Sequence, residues 1–206
     1  MEASSQGEGR VALIDAAERL IAEQGPAVSL RQVVVAAGQR NSAAIRYHFG
    51  TREQLITAVV EARQAVFEPQ RLERLVAIES AGGGTQRELL EALLGPAFEH
   101  QRASSPSFHA RFMEKIRDFP GVVLVDRRDW TATTLLLSRI APSGSRHDPE
   151  MVGPRTRGII SVVFALLADL ERETFPDSAS RTRAEEMTLD MVLGAVNSAP
   201  RVDQPG

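Results

Sequence analysis

The chain of 206 residues contains no cysteine. That excludes disulfides, thiolate zinc sites, thiol catalysis and redox sensing through sulfur. No run of residues approaches the roughly 20 consecutive apolar positions that a membrane-spanning helix needs. Met1 to Gly9 has neither the basic region nor the apolar core of a secretory signal, so a cytoplasmic location with no membrane partner is expected. Catalytic signatures are missing too: there is no Gly-x-Ser-x-Gly elbow, no phosphate-cradling loop and no His-Glu-x-x-His. The triple glycine Gly82 to Gly84 is followed by Thr85 and no lysine, and reads as a flexible link. No acidic side chain lies between Glu23 and Glu53, where Arg31, Arg40, Arg46, Arg52 and His48 fall. A protein of net charge -3 therefore carries a locally cationic segment, the kind of field that attracts a polyanion.

What is present is helix punctuation. Ser29-x-x-Gln32, Thr51-x-x-Gln54, Thr85-x-x-Glu88 and Thr182-x-x-Glu185 each fit the capping box, in which two side chains satisfy the orphan amides of a helix start. Ser105-Pro106 and Asp148-Pro149 add two further starts, with proline at the first helical position. Apolar residues recur at three and four positions between these marks, as in Ile14, Ala17, Ile21 and in Leu89, Leu90, Leu93, Leu94. The run Val122 to Val125 is strand-like but has no partner strand, so it reads as a helix start. A hydrophobic content of 43% supports a buried core, and the expected fold is all-α. Met1 to Gly7 and Ser198 to Gly206 read as frayed ends.

The segment Val28 to Phe49 divides into helix, four-residue turn and helix. Gly38 can end the first helix in a left-handed conformation, Asn41 can cap the second, and Ile45 with Phe49 gives the second an apolar stripe. A helix that reads DNA needs small or polar residues at its exposed first turn so that its backbone can approach base edges. Ser42, Ala43 and Ala44 meet that need, and Arg46 can reach a guanine edge or a phosphate one turn later. Thr51 opens a helix whose amides, with Arg52, form an anion-binding end suited to a phosphate.

Leu13 to Val60 resembles the N-terminal domain of tetracycline-repressor (TetR) family regulators. The marks are Ile14-Asp15-Ala16-Ala17, Gly25, Ser29-x-Arg31, Ala37-Gly38, Tyr47-His48-Phe49 and Arg52-Glu53-x-Leu55, in order and at matching spacing. Between Ala37 and Ile45 the chain is one residue longer than most members, and Arg40 in that turn has no family counterpart. The resemblance implies base contacts from Ser42, Ala43 and Arg46 and phosphate contacts from Arg31, Tyr47, His48 and Arg52, with Arg40 and Asn41 in the turn beside them. For Tyr47 and His48, packing against the first helix is the competing reading. The resemblance further implies a three-helix helix-turn-helix domain (1–52, with a tail over 1–8), a larger helical effector-binding and dimerisation domain (53–197) and a disordered tail (198–206). The partners it implies are a double-stranded DNA operator, a small-molecule effector and a second copy of the chain, with no cofactor, no metal and no catalysis.

In the larger part, aromatic residues gather with histidines and an arginine. Phe98, Phe108, Arg111, Phe112 and Trp130 could line a pocket for an apolar effector or simply form core. The helix from Gly158 to Leu170 is apolar nearly all round, with Ile159, Val163, Leu166, Leu167 and Leu170, and the next helix offers Met187, Met191 and Val192. In the family the last two long helices pair across a two-fold axis, and these residues are the expected dimer interface. Two other classes are consistent with the sequence: a helix-turn-helix regulator whose body docks another protein, and a helical enzyme using His100, His109 and Glu114 in an open polar cleft.

Overall fold

The computed structural model describes residues 2–39, 44–104, 106–119, 130–140 and 149–198; the side chains of 2–6, 44 and 149–154 are left aside. Among the described residues there are nine α-helices and no strand. They are α1 (Glu2–Gln24), α2 (Leu30–Ala36), α3 (Ala44–Phe49), α4 (Arg52–Ser80), α5 (Gln86–Ala103), α6 (His109–Ile116), α7 (Thr131–Ile140), α8 (Pro149–Arg172) and α9 (Ser178–Asn197). The fold is all-α, as the helix punctuation predicts.

Three of the four capping boxes form as written. Ser29, Thr51 and Thr85 each accept from the amide three residues on, and Gln32, Gln54 and Glu88 answer from the other side. The fourth does not. Asp177 caps α9 by accepting from the Ser180 amide at 2.6 Å, so Thr182 already lies inside the helix and its hydroxyl donates to the Ser178 carbonyl. Pro106 also precedes its helix: α6 starts at His109, with Phe108 before it and no side-chain cap from that residue. Pro149 does open α8. Residues 2–8, read as a tail, continue α1 without a break. The Val122 to Val125 run, Ser105, Asp148 and residues 199–206 lie outside the described residues.

Two apolar cores divide the molecule. The first joins Leu13, Ala17 and Ile21 of α1 with Val33 and Val34 of α2, Ile45 and Phe49 of α3, and Leu55, Ile56, Val59 and Val60 of α4. It also takes in Phe112, Met113 and Ile116 of α6, together with Trp130. The second joins Phe67 and Leu75 of α4 with α5, α7, α8 and α9. Residue 52, the expected domain limit, is thus the first residue of a continuous helix whose opening turns belong to the N-terminal core. Helix α4 serves both cores and carries Pro69 in its interior.

Helix α6 is the second link. It packs on α1 on one side and α8 on the other. Its orphan N-terminal amides are satisfied from a distance: the Glu171 carboxylate on α8 accepts from the Ala110 and Arg111 amides at 3.2 and 2.9 Å and from the Ser107 hydroxyl at 2.6 Å. A negative charge there also complements the positive end of the helix dipole.

Candidate nucleic-acid interface and ligand cavity

The turn before the second short helix is built as its residues require. Gly38 has φ of +67°, its amide donates to the Val35 carbonyl, and the Gln39 amide reaches back to the Val34 carbonyl at 3.0 Å. This pair of bonds is a Schellman motif with glycine at the left-handed position. It ends α2 and turns the chain toward α3. Arg40, Asn41, Ser42 and Ala43 lie outside the described residues. In α3, Ile45 and Phe49 face the core, while Arg46 and Tyr47 face solvent. The Phe49 ring is covered by the Arg10 guanidinium 5.2 Å from its centroid, which ties the start of α1 to the end of α3.

The other candidate DNA-contacting residues divide by environment. Arg31 is exposed on α2. Tyr47 is 70% exposed, so it does not pack against α1. His48 is half-buried, and Gly9 of α1 lies so close that a Cβ there would stand 3.9 Å from its Nε2. Arg52 is partly buried and its Nη1 donates to the Pro26 carbonyl at 2.8 Å and to the Val28 carbonyl, which pins the α1–α2 turn to the start of α4. The amides at that start already hold a carboxylate. Hydrogen bonds from its own backbone and from Thr51 hold the Glu53 carboxyl below its ordinary value. A phosphate at this end would share the seat with Glu53.

A cavity of about 130 Å³ lies inside the second core. Leu90, Leu93, Leu94, Met113, Trp130, Leu137, Ile160, Phe164 and Leu167 supply most of its described wall, and Gln64, Arg71, His100, Gln101, His109 and Thr133 are the polar members. Of the five residues expected to line a pocket, Trp130 does so. The rest are placed elsewhere. Phe98 is buried in the second core and Phe112, with no exposure, in the first. Phe108 borders a separate cleft between α1, α2 and the start of α6. Its ring is covered by the Arg111 guanidinium, which is tied to Glu171 and to the Ser107 carbonyl. Helical periodicity shows which residues share a face, but not which faces enclose a void.

Most of the polar wall is already committed. Arg71 donates to the Leu93 carbonyl, to Gln64 Oε1, to Glu68 and to the Thr133 hydroxyl. Gln101 bonds the Leu167 carbonyl and accepts from Arg181. His109 turns Nδ1 to Glu18 Oε1 at 3.1 Å. Glu18, on α1, is 3% exposed and also accepts from Arg63 of α4, with Nε at 2.9 and 3.1 Å from its two oxygens. One carboxylate thus joins α1, α4 and α6. Burial pushes the Glu18 carboxyl upward, but the hydrogen bonds from Arg63 and His109 and their charges outweigh it and hold the group at about 2. This junction has no local signal in the sequence.

His100 is pushed below its ordinary value, first by burial and then by the nearby Arg63 and His109. Its ring centroid lies 6.4 Å from that of His109, and both rings meet Phe67 edge-on. Glu114, the third member of the possible acid-base set, is paired with Arg172. Among the described residues no group of three or more histidines or acids could hold a metal ion.

The expected dimer residues also divide. Leu167, Leu170 and Val192 are buried in the protein's own core at 4, 6 and 1% exposure, so they cannot meet a partner. Ile159 and Val163 line the cavity. Met187 and Met191, one turn apart on α9, are about half exposed, and Val162 and Leu166, one turn apart on α8, are partly so; α8 and α9 pack together. Among the described residues no helix is long and apolar enough to cross a membrane.

Comparison with known proteins bears on the first core. Residues 13–59 match the model of the family described as bacterial regulatory proteins, tetR family. No curated protein matches the chain as a relative. The match spans the capped α2, the glycine turn, α3 and the opening of α4, and residues 13–59 are a helix-turn-helix DNA-binding domain of the kind found in tetR-family regulators.

Proposed function

We propose that the protein is a ligand-responsive repressor that binds a near-palindromic operator as a homodimer and leaves it when a small apolar effector fills the cavity. The observation that carries this reading is the combination of a solvent-facing α3, held from behind by Ile45 and Phe49, with a helical body enclosing an apolar cavity, the two sharing α4. On this reading Ser42, Ala43 and Arg46 contact bases, while Arg31, Arg40 and Tyr47 contact phosphates. Arg52 fixes the α1–α2 turn and offers its remaining nitrogens to the backbone. His48 orients α3 against α1.

A single short recognition helix reads too few base pairs for useful affinity, so two copies are needed. They would sit roughly 34 to 36 Å apart in successive major grooves. The surface of α8 and α9 that carries Val162, Leu166, Met187 and Met191 supplies the two-fold contact. An effector bound among α4, α5, α6 and α8 favours a different tilt of α4 and so a different spacing of the two α3 helices. Its leverage equals its differential affinity for the two states. The site of action is the cytoplasm, where the operator is.

The test is a fluorescence-anisotropy titration of the full chain against duplexes from its own genomic neighbourhood. Saturable binding to one of them, at least about a hundredfold tighter than to random duplex at the same salt, is the expected result. Equal affinity for all duplexes would refute it.

A further inference from the structure

The cavity wall carries more information than its apolar character. Its size sets the first limit. A cavity of about 130 Å³ is close to the roughly 150 Å³ space that holds a benzene ring in an engineered protein core. A single ring with a small substituent, about six to ten non-hydrogen atoms, matches that space.

The unspent polar groups set the second limit. Arg71, Gln101 and Thr133 are committed to partners on the protein. Gln64 gives its oxygen to Arg71 but keeps its Nε2 donor, and the His100 imidazole makes no hydrogen bond among the described residues. His109 is the decisive group. Glu18 is ionised, so it can only accept, and the His109 nitrogen that faces it must carry the proton. In the neutral ring the other nitrogen, Nε2, is then an acceptor with no partner among the described residues. One unspent acceptor therefore stands in a wall with unspent donors. A hydroxyl group, which both donates and accepts, satisfies that pattern; an ether can only accept, and a hydrocarbon can do neither.

We propose that the cavity takes a compact apolar molecule bearing one hydroxyl group, such as a simple phenol, whose O–H donates to Nε2 of His109. Gln64 or His100 donates to its oxygen. The bond completes a chain from ligand through His109 to Glu18 and Arg63, so that occupancy is felt where α1, α4 and α6 meet. The proposal rests on the effector-binding reading above and names the class of effector.

Trp130 is the only tryptophan and lines the cavity, so its fluorescence reports occupancy without a label. Phenol, anisole and toluene are titrated separately into the full chain. Phenol is expected to bind at least tenfold more tightly than anisole or toluene, and His109→Phe is expected to reduce it to their level. Should that variant misfold, the imidazole nitrogen resonances of the unaltered protein serve instead. They should show the tautomer protonated at Nδ1, and phenol should move the Nε2 signal. Equal binding of the three compounds, no saturable change in Trp130 with any of them, or a proton on Nε2 would overturn the proposal. The DNA-binding reading is judged by operator binding alone, so release of operator by toluene as readily as by phenol would leave that reading intact and remove this one.

Discussion

Replacing Glu18 with glutamine keeps the shape of the α1–α4–α6 junction and removes its charge. The structure gives the size of the effect. An ordinary value of 4.5 lowered to about 2 corresponds to about 3 kcal/mol of stability at neutral pH. For a chain of this length that predicts a fall in Tm of about 6 to 12 °C. The pH dependence follows from the direction of the shift. A carboxyl whose folded value lies below its unfolded one stabilises fully above about pH 4.5 and loses that contribution as pH falls toward 2. Urea unfolding followed by circular dichroism, on the unaltered protein and on Glu18→Gln, should therefore show a gap that shrinks by about half between pH 5 and pH 3. Removing Arg63 as well, as Glu18→Gln with Arg63→Met, should cost less than the two single changes summed, because neither partner is then left buried alone. If the single variant matches the unaltered protein at pH 7, or if the gap does not change down to pH 3, then the buried carboxylate does not hold the junction and the reasoning fails.

Two further predictions concern the proposed DNA and dimer surfaces. Arg46→Ala should relax base preference with little change in Tm, since Arg46 faces solvent, whereas Arg52→Ala should lower stability by about 1 to 2 kcal/mol through the lost bonds to Pro26 and Val28 as well as weaken binding to all duplexes alike; paired melting and anisotropy measurements separate the two. Met187→Asp with Met191→Asp should leave the helical spectrum intact, convert a dimer to a monomer in sedimentation and reduce operator affinity at least about a hundredfold; an unchanged sedimentation coefficient would show that α9 is not the contact.

The sequence was most legible where a structural rule is local. The capping boxes at Ser29, Thr51 and Thr85 act over three residues, and Gly38 ends α2 through bonds to Val34 and Val35, so short-range spacing is enough to find them. The Thr182 box failed on the same scale. Asp177 offers a stronger cap five residues earlier, and a helix begun there absorbs Thr182. The internal sites were not legible. Glu18 meets His109 across 91 residues, and Glu171 caps α6 across 60, and neither contact leaves a periodic trace. Phe98 and Phe112 were expected on one wall because they share a composition and a region. The packing of α6 against α1 sends Phe112 into the other core.

Helix α4 is 29 residues long, and at about 1.5 Å of rise per residue it forms a rod of about 43 Å. A pivot of only about five degrees at one end displaces the other by nearly 4 Å, more than the roughly 3.4 Å separating neighbouring base pairs along the duplex. Pro69 removes one rung from this rod beyond the segment that belongs to the N-terminal core, since it has no amide to offer the Ala65 carbonyl. The bending stiffness of the rod is therefore lowest around Pro69, between Phe67 and Leu75, where the helix packs in the second core.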